Sequence, residues 1–389
     1  MNGVIEAPPL KRATHKLVEA QNVGPCKIAI VGDAPGEEET NVGKPFVGRT
    51  GWMLNKILKQ VEIERDACLI TNVFRDRPLN DDMSQFFIKK SMAKKLGWVS
   101  SYPATGSGYV HPELEPELVR LAAELAACGP GAVVIALGST ALWALTGQLA
   151  VGNFRGTIVS SSLLPGCRVI PTYHPTAILR QWENLVPTTH DFRKALAESK
   201  RPSQRRSRAI HIYPSIDDLE HFGKQYGLTA YAGSGGVADP GGSWVQPAHV
   251  GIVRSPLGID IETRWDVDHQ ITCIGFAPSP DVAMVVPFWD VSRPGFSYWS
   301  REDEIKAWMW VAKVLGNPHI PKLFQNGSYD IQVLAHWGIK VEGEYEDTMI
   351  LHHALEPELP KALDYLGSIY TNEVAWKNAV SFKTDKVDA

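Results

Sequence analysis

The chain has 389 residues, 44% of them hydrophobic and 21% charged, the make-up of a soluble globular protein. Single cores seldom grow past about 250–300 residues, so two domains are expected. A net charge of −4 argues neither for nor against a polyanionic partner, since gripping one needs only a local basic patch.

The N-terminus carries no basic-then-apolar leader, and no apolar run approaches the ~18 residues that span a membrane. Cys26, Cys68, Cys128, Cys167 and Cys273 are scattered without a C-x-x-C pair. Neither a zinc site nor a disulfide framework is indicated, and a reducing, cytoplasmic compartment is expected.

Lys27–Gly32 (KIAIVG) has the pattern of a buried strand ending in a glycine turn. Trp52–Val61 has helical spacing, Leu69–Val73 reads as a second strand, and the pattern weakens from Leu79 to His111, as in an irregular insertion. Leu114–Ala127 reads as an amphipathic helix and Ala132–Leu137 as a third strand, with a short helix from Ser139 and a fourth strand near Arg168–Pro171. Strands alternating with helices predict an α/β domain with a parallel sheet.

Arg193, Lys194, Lys200, Arg201, Arg205, Arg206 and Arg208 then stand against the single acid Glu198. That run is either a solvated helix end with a linker or a strip that tracks phosphates. Residues 200–208 are assigned as the linker, dividing a domain at 1–199 from one at 209–389. In the second part Ala209–Tyr226 reads as strand plus helix and Gly233–Ser243 as a glycine-rich loop. Strands follow at Gly258–Glu262, Ile271–Phe276 and Val282–Pro287, then helices at Arg301–Leu315, Tyr329–Trp337 and Thr348–Leu355. This order predicts a mixed sheet covered by helices. No internal repeat is visible.

Three short segments of the first half fall at C-terminal strand ends, where an open α/β sheet places its ligand crevice. They are Gly32-Asp33-Ala34-Pro35-Gly36 with the nearby Gly43–Arg49, then Thr71-Asn72-Val73, then Tyr173-His174-Pro175 with Arg180 and Asp191 downstream. Taken singly, each has an ordinary explanation: Asp33 as a turn or cap, Phe46 as core, Asn72 as a strand end, His174 as a turn residue. Their joint order resembles the family 4 uracil-DNA glycosylases, with GEAPG, PFVGR, TNV and a late HP followed by arginine. The resemblance runs from about Lys27 to Leu196 and includes Ala136-Leu137-Gly138 and Arg155-Gly156.

The resemblance implies an α/β/α sandwich that binds uracil-containing DNA, single- or double-stranded, and extrudes the base into a pocket. Phe46 matches the stacking ring. Asn72 matches the amide that accepts from uracil N3–H and donates to O4, a pairing that cytosine reverses. Asp33 matches the carboxylate beside C1′, and His174 the donor that stabilises the leaving anion at O2. Backbone N–H groups around Ala34, Pro35 and Gly36 are expected to bind a phosphate, and Arg180 another. The family usually has glutamate at the Asp33 position. It also holds an iron–sulfur cluster through four cysteines, one shortly after TNV. Here Asp76 stands at that place and no N-terminal cysteine pair exists, so no cluster is expected.

Asp260-Ile261-Glu262-Thr263 closes an apolar strand, and alternation sends Asp260 and Glu262 to one face. Asn326-Gly327-Ser328-Tyr329-Asp330 comes later, at a helix start. The two segments resemble the first two motifs of the proofreading 3′–5′ exonuclease domain of family A DNA polymerases, as in phage replication proteins. Asp347-Thr348-Met349, Leu359–Leu366 and Trp376-Lys377 extend the likeness. It implies a ribonuclease H-like mixed α/β domain in which Asp260, Glu262 and Asp330 hold two Mg²⁺ or Mn²⁺ ions and Asn326 contacts the strand. Asp347 is expected to cap a helix. The third motif is missing, since Asp385 and Asp388 have no tyrosine at its spacing. The second domain is therefore expected to be incomplete at its C-terminus. A polymerase domain or subunit in a bacterial or phage-infected cytoplasm is the expected partner, with no membrane.

Overall fold

In the computed structural model of the protein, the IAIVG run forms strand β1 (Ile28–Gly32), every residue of which is buried. Alternation along it feeds two cores. Ile28 and Ile30 pack with Met53, Leu54, Ile57 and Phe192, while Ala29 and Val31 pack with Leu118, Leu121 and Leu125. Continuous burial on both faces is what helices on either side of a parallel sheet produce. The structure describes residues 7–203, 207–229, 255–264 and 269–373. The chain divides into two compact units: residues 1–203 with 364–389, and residues 204–363.

In the first unit β1 is followed by α1 (Glu37–Val42), α2 (Gly48–Gln60) and β2 (Cys68–Asn72). The stretch expected to be irregular contains short paired strands β3 (Phe87–Ile88) and β4 (Tyr109–Val110), with α3 (Lys90–Leu96) between them. Then come α4 (Glu115–Ala127), β5 (Val133–Leu137), α5 (Ser139–Thr146), α6 (Val151–Phe154), β6 (Val159–Ser160), β7 (Arg168–Thr172), α7 (Pro175–Arg180) and α8 (Leu185–Lys200). The sheet order is β2-β1-β5-β7-β6, parallel except for the edge pair β6–β7. Strand order reverses between β1 and β5, so the ligand crevice of such a sheet opens past their C-terminal ends.

The second unit contains β8 (Ala209–His211), α9 (Ile216–Gln225), β9 (Leu257–Arg264), β10 (Gln270–Ser279), β11 (Val282–Pro287), α10 (Arg301–Leu315), β12 (Lys322–Phe324), α11 (Gly327–His336), β13 (Tyr345–Asp347) and α12 (Thr348–Leu355). Its mixed sheet runs β13-β12-β9-β10-β11-β8, with β9, β10 and β11 antiparallel and the other pairs parallel. Leu257, Ile259 and Ile261 of β9 pack under α10 residues Trp310, Val311 and Val314.

The last described helix, α13 (Leu363–Tyr370), leads into the stretch grouped with the first unit, where the sequence boundary put it with the second. Arg155 Nη1 donates to Ser368 Oγ at 2.7 Å, and Lys194 Nζ donates to the carbonyls of Ser368 and Thr371. The expected loop Gly233–Ser243, residues Arg205 and Arg206 of the basic run, and Trp376, Lys377, Asp385 and Asp388 lie outside the described residues. No described helix is long and apolar enough to cross a membrane.

Candidate active site

The three segments of the first unit meet at the predicted end of the sheet. Gly32, last in β1, is the point of closest approach. A Cβ there would lie 2.3 Å from Asn72 Oδ1 and 2.5 Å from Phe46 Cζ, so only glycine lets both side chains close over the strand end. Asn72, last in β2, is 3% exposed, and its Nδ2 has no hydrogen-bond partner among the described residues. An amide donor left unpaired in a buried site is costly, and a ligand acceptor would remove that cost.

Phe46 is also 3% exposed and holds a left-handed backbone, φ 51°. Glu39, which the sequence reading did not single out, imposes that conformation. Its carboxylate accepts from Phe46 N at 2.7 Å and from Gly36 N at 2.5 Å, while Arg65 Nη2 donates to the Pro45 and Phe46 carbonyls. Burial raises the Glu39 pKa, and the donated N–H groups oppose the rise. The spacing of Glu39 three residues after Gly36 is that of a capping box, the one signal in the sequence that pointed to it. The same bonds correct one expectation. Gly36 N–H is engaged by Glu39, Pro35 has none, and Glu37, Glu38 and Glu39 crowd the first turn of α1, so a phosphate is not favoured there.

Asp33 follows β1 and turns its carboxylate to the start of α5, accepting from Ala141 N at 3.1 Å and from Thr140. Burial pushes its pKa up to about 7, with the α5 donors acting against the rise. Gly138, at φ 94° between β5 and α5, leaves room for it: a Cβ would lie 3.0 Å from Asp33 Oδ2 and 3.3 Å from His174 Cβ. Asp33 and His174 therefore flank one glycine at the point where strand order reverses.

His174 caps α7. Its Nδ1 accepts from Thr176 N at 3.3 Å and lies 2.9 Å from Thr176 Oγ1. A backbone N–H can only donate, so Nδ1 is the acceptor and the proton resides on Nε2. Burial lowers the pKa to about 4, which keeps the ring neutral. The Phe46 and His174 ring centroids are 5.7 Å apart. Below this turn, Asp191 accepts from Thr172 Oγ1 at 2.6 Å and from Arg155 Nη2 at 2.5 Å, bracing the end of β7. Arg180, last in α7, is exposed and not part of this cluster.

The residues present do not fit an iron–sulfur cluster. Asp76 is buried and pairs with Arg12 at 2.8 Å, and Arg12 also reaches Glu113 at 3.3 Å. Cys68 begins β2, Cys167 immediately precedes β7, and Cys26 and Cys128, which share a hydrogen bond, precede β1 and β5. All four lie at the N-terminal end of the sheet, away from the pocket, and Cys273 is in the second unit.

In the second unit Asp260 and Glu262 project from the exposed face of β9, as alternation requires. Asp330 is buried in α11 and accepts from Ile261 N at 3.2 Å. Burial raises its pKa to about 6, and the Asp260 charge adds to the rise. Among the described residues no three His, Cys, Asp or Glu side chains converge to hold a metal ion. The expected Asp260, Glu262 and Asp330 ligand set is thus not found as such a group, and Asp330 gives one oxygen to the β9 backbone. Asn326 starts α11 at φ 60°, its N–H bonded to Asp347. Asp347 caps α12 through Met349 N at 2.8 Å and also accepts from Gly327 N at 2.7 Å.

The uracil DNA glycosylase superfamily profile matches residues 22–200. A type-4 uracil-DNA glycosylase of Thermotoga maritima is 32% identical over 180 residues, covering 46% of this chain and 79% of that protein. One from Pyrobaculum aerophilum is 28% identical over 180 residues, 44% of this chain and 78% of the relative. DNA polymerase I of Synechocystis sp. is 44% identical over 48 residues, 12% of this chain and 5% of that protein. With the matched residues containing the whole Asp33–Asn72–His174 pocket, the chain belongs to the uracil DNA glycosylase superfamily.

Proposed function

We propose that this protein excises uracil from DNA by hydrolysis of the N-glycosidic bond, in the domain spanning about residues 1–199. The observation that carries the reading is the Asn72 amide, buried, unpaired at Nδ2 and set beside the Phe46 ring over Gly32. An extruded uracil stacks on Phe46, gives its N3–H to Asn72 Oδ1 and takes the Nδ2–H at O4. Cytosine presents a donor at N4 and a bare acceptor at N3, so the same amide rejects it. As the C1′–N1 bond breaks, the sugar gains oxocarbenium character and the base becomes an anion. His174 Nε2–H donates to O2 without releasing its proton, as a neutral donor of low pKa can. Ionised Asp33 stabilises the cation and takes the proton of the water that adds to C1′.

A second reading rests on one observation. Asp33 is shorter than the usual glutamate, and its carboxylate is bonded to the start of α5. On that reading the pocket senses uracil without cleaving, for a polymerase that works beside it. The second unit is proposed to be a ribonuclease H-like, exonuclease-derived module that contributes DNA contacts. The mixed sheet, the paired carboxylates of β9 and the short likeness to a DNA polymerase I support this. No metal-dependent step is assigned to it.

One assay separates the two readings. A single-uracil strand is incubated with the protein in EDTA, then treated with alkali. Scission at the uracil position, lost in Asp33→Ala and His174→Ala, is the expected result. Binding without scission supports the sensing reading, and neither binding nor scission overturns both.

A further inference from the structure

The two helices that leave the pocket walls carry an unusual surface. Helix α2 begins two residues after Phe46, and α7 begins one residue after His174. On α2 one face buries Met53, Leu54, Ile57 and Leu58. The opposite face presents Arg49, Trp52 and Lys56 at i, i+3 and i+7, which places them in one row. Just beyond α7 stands Trp182. Trp52 is 58% exposed and Trp182 is 53% exposed, although indole is among the side chains that gain most from burial. Lys56 Nζ lies between them, 5.5 Å from the Trp52 ring and 4.5 Å from the Trp182 ring. Glu38, Gly48, Arg49, Trp52 and Leu179 line an open cleft of about 370 Å³ here, within the ~300–1,000 Å³ range of small-ligand sites.

Aromatic faces interleaved with cations are the surface that holds unpaired nucleotides. The ring stacks on a base whatever its identity, and the cations meet the phosphates on either side. We infer that Trp52 and Trp182, with Arg49 and Lys56, form a stacking subsite for an unpaired base flanking the uracil on the same strand. The inference rests on the glycosylase reading. Continuity supplies the register, since α2 and α7 run directly out of the walls that would hold the extruded uracil. Single-stranded or locally opened DNA is then preferred over closed duplex, because only an unpaired neighbour offers its face to the indoles. Glu38 is an acid in the same cleft lining and sits against Gly48, where a Cβ would lie 1.7 Å from its Oε2, so it sets one edge past which the phosphates must run.

The test uses short single strands with one uracil, in which each neighbouring nucleotide in turn is replaced by a base-less tetrahydrofuran unit. KM and kcat for uracil release, and equilibrium binding, are measured for the full chain and for Trp52→Ala, Trp182→Ala and Trp52→Phe, with thermal midpoints as the folding control. For the unmodified protein, removing the base at one neighbouring position raises KM roughly ten-fold. The alanine variants show that rise already on the intact strand and no further rise on the base-less one, while Trp52→Phe keeps most of the affinity. Variants that match the unmodified protein on every strand, or that lose affinity equally with and without the neighbouring base, overturn the subsite alone. If the unmodified protein neither binds nor cleaves any strand, the glycosylase reading falls and the subsite with it.

Discussion

The carboxylate of Asp33 accepts the backbone N–H of Ala141 at 3.1 Å, so the acid of the pocket is tied to the first turn of α5. The helix start favours the anion, yet burial wins and the pKa stands near 7. Catalysis that needs the carboxylate therefore follows pH. The value of kcat/KM is expected to rise about ten-fold per pH unit up to near 7 and then level off, because only the ionised fraction works. His174, with its pKa near 4, adds no step at neutral pH. The same group makes a stability prediction. Its folded pKa exceeds its ordinary value of 3.8, so the native state holds the proton longer. Stability from this group is full below about 4 and is lost as pH rises to about 7. Asp33→Asn is expected to lose that pH dependence, gain on the order of 1–3 kcal/mol at pH 8 in denaturant titrations, and lose activity at every pH.

On the proposed reading Asn72 sets the choice of base. Asn72→Ala is expected to lower kcat/KM by about 10²–10³, since it deletes both bonds to the base and leaves N3–H and O4 unpaired. Asn72→Asp keeps the size but removes the donor. It should reject uracil through repulsion at O4 and, with the new carboxyl protonated, admit cytosine, whose N4–H₂ group donates to one oxygen while N3 accepts from the other's O–H. Release assays on paired strands differing only in that base report the ratio.

Glu39 fixes the backbone of Gly36 and Phe46 through its two carboxylate oxygens. Glu39→Gln offers one acceptor oxygen where two N–H groups need one each, so either Gly36 or Phe46 loses its partner. A stability loss of about 1–3 kcal/mol is expected, with Phe46 displaced and kcat/KM lowered. Chemical denaturation alongside kinetics separates the two effects.

Asp191 is fully buried against Arg155, which is itself buried. Asp191→Ala strands the guanidinium in the interior, and about 3–5 kcal/mol of stability is expected to go. Ser368→Ala, which removes a single neutral acceptor of Arg155 Nη1, should cost about 1 kcal/mol. Urea midpoints of the two variants give the comparison.

The pocket was legible in the sequence because its residues sit at strand ends, where hydrophobic runs stop and polar motifs begin. Asn72 and Asp33 could be placed in one crevice from the parallel order alone. What holds them could not be read. Glu39 acts through backbone N–H groups of residues chosen for other reasons, and the His174 tautomer depends on a hydrogen bond from Thr176. Strand β12 escaped for a different reason. It is three residues long, and it begins with Lys322, a buried lysine whose ammonium is satisfied by the Asn317 and Glu342 carbonyls. A charged residue in so short a run hides the apolar signal. In the second unit alternation placed Asp260 and Glu262 on one face, but no pattern in sequence could report that Asp330 turns to the Ile261 N–H.

The proposed chemistry of this pocket is scission of the bond between uracil and deoxyribose. Mass spectrometry of a single-uracil strand incubated with the protein in EDTA tests it most directly. Free uracil in solution is expected, with a strand whose mass has lost the base and gained water, and a cytosine-bearing strand unchanged. An intact uracil strand, recovered from a solution in which the protein is folded and bound to it, would mean that the pocket does not cleave.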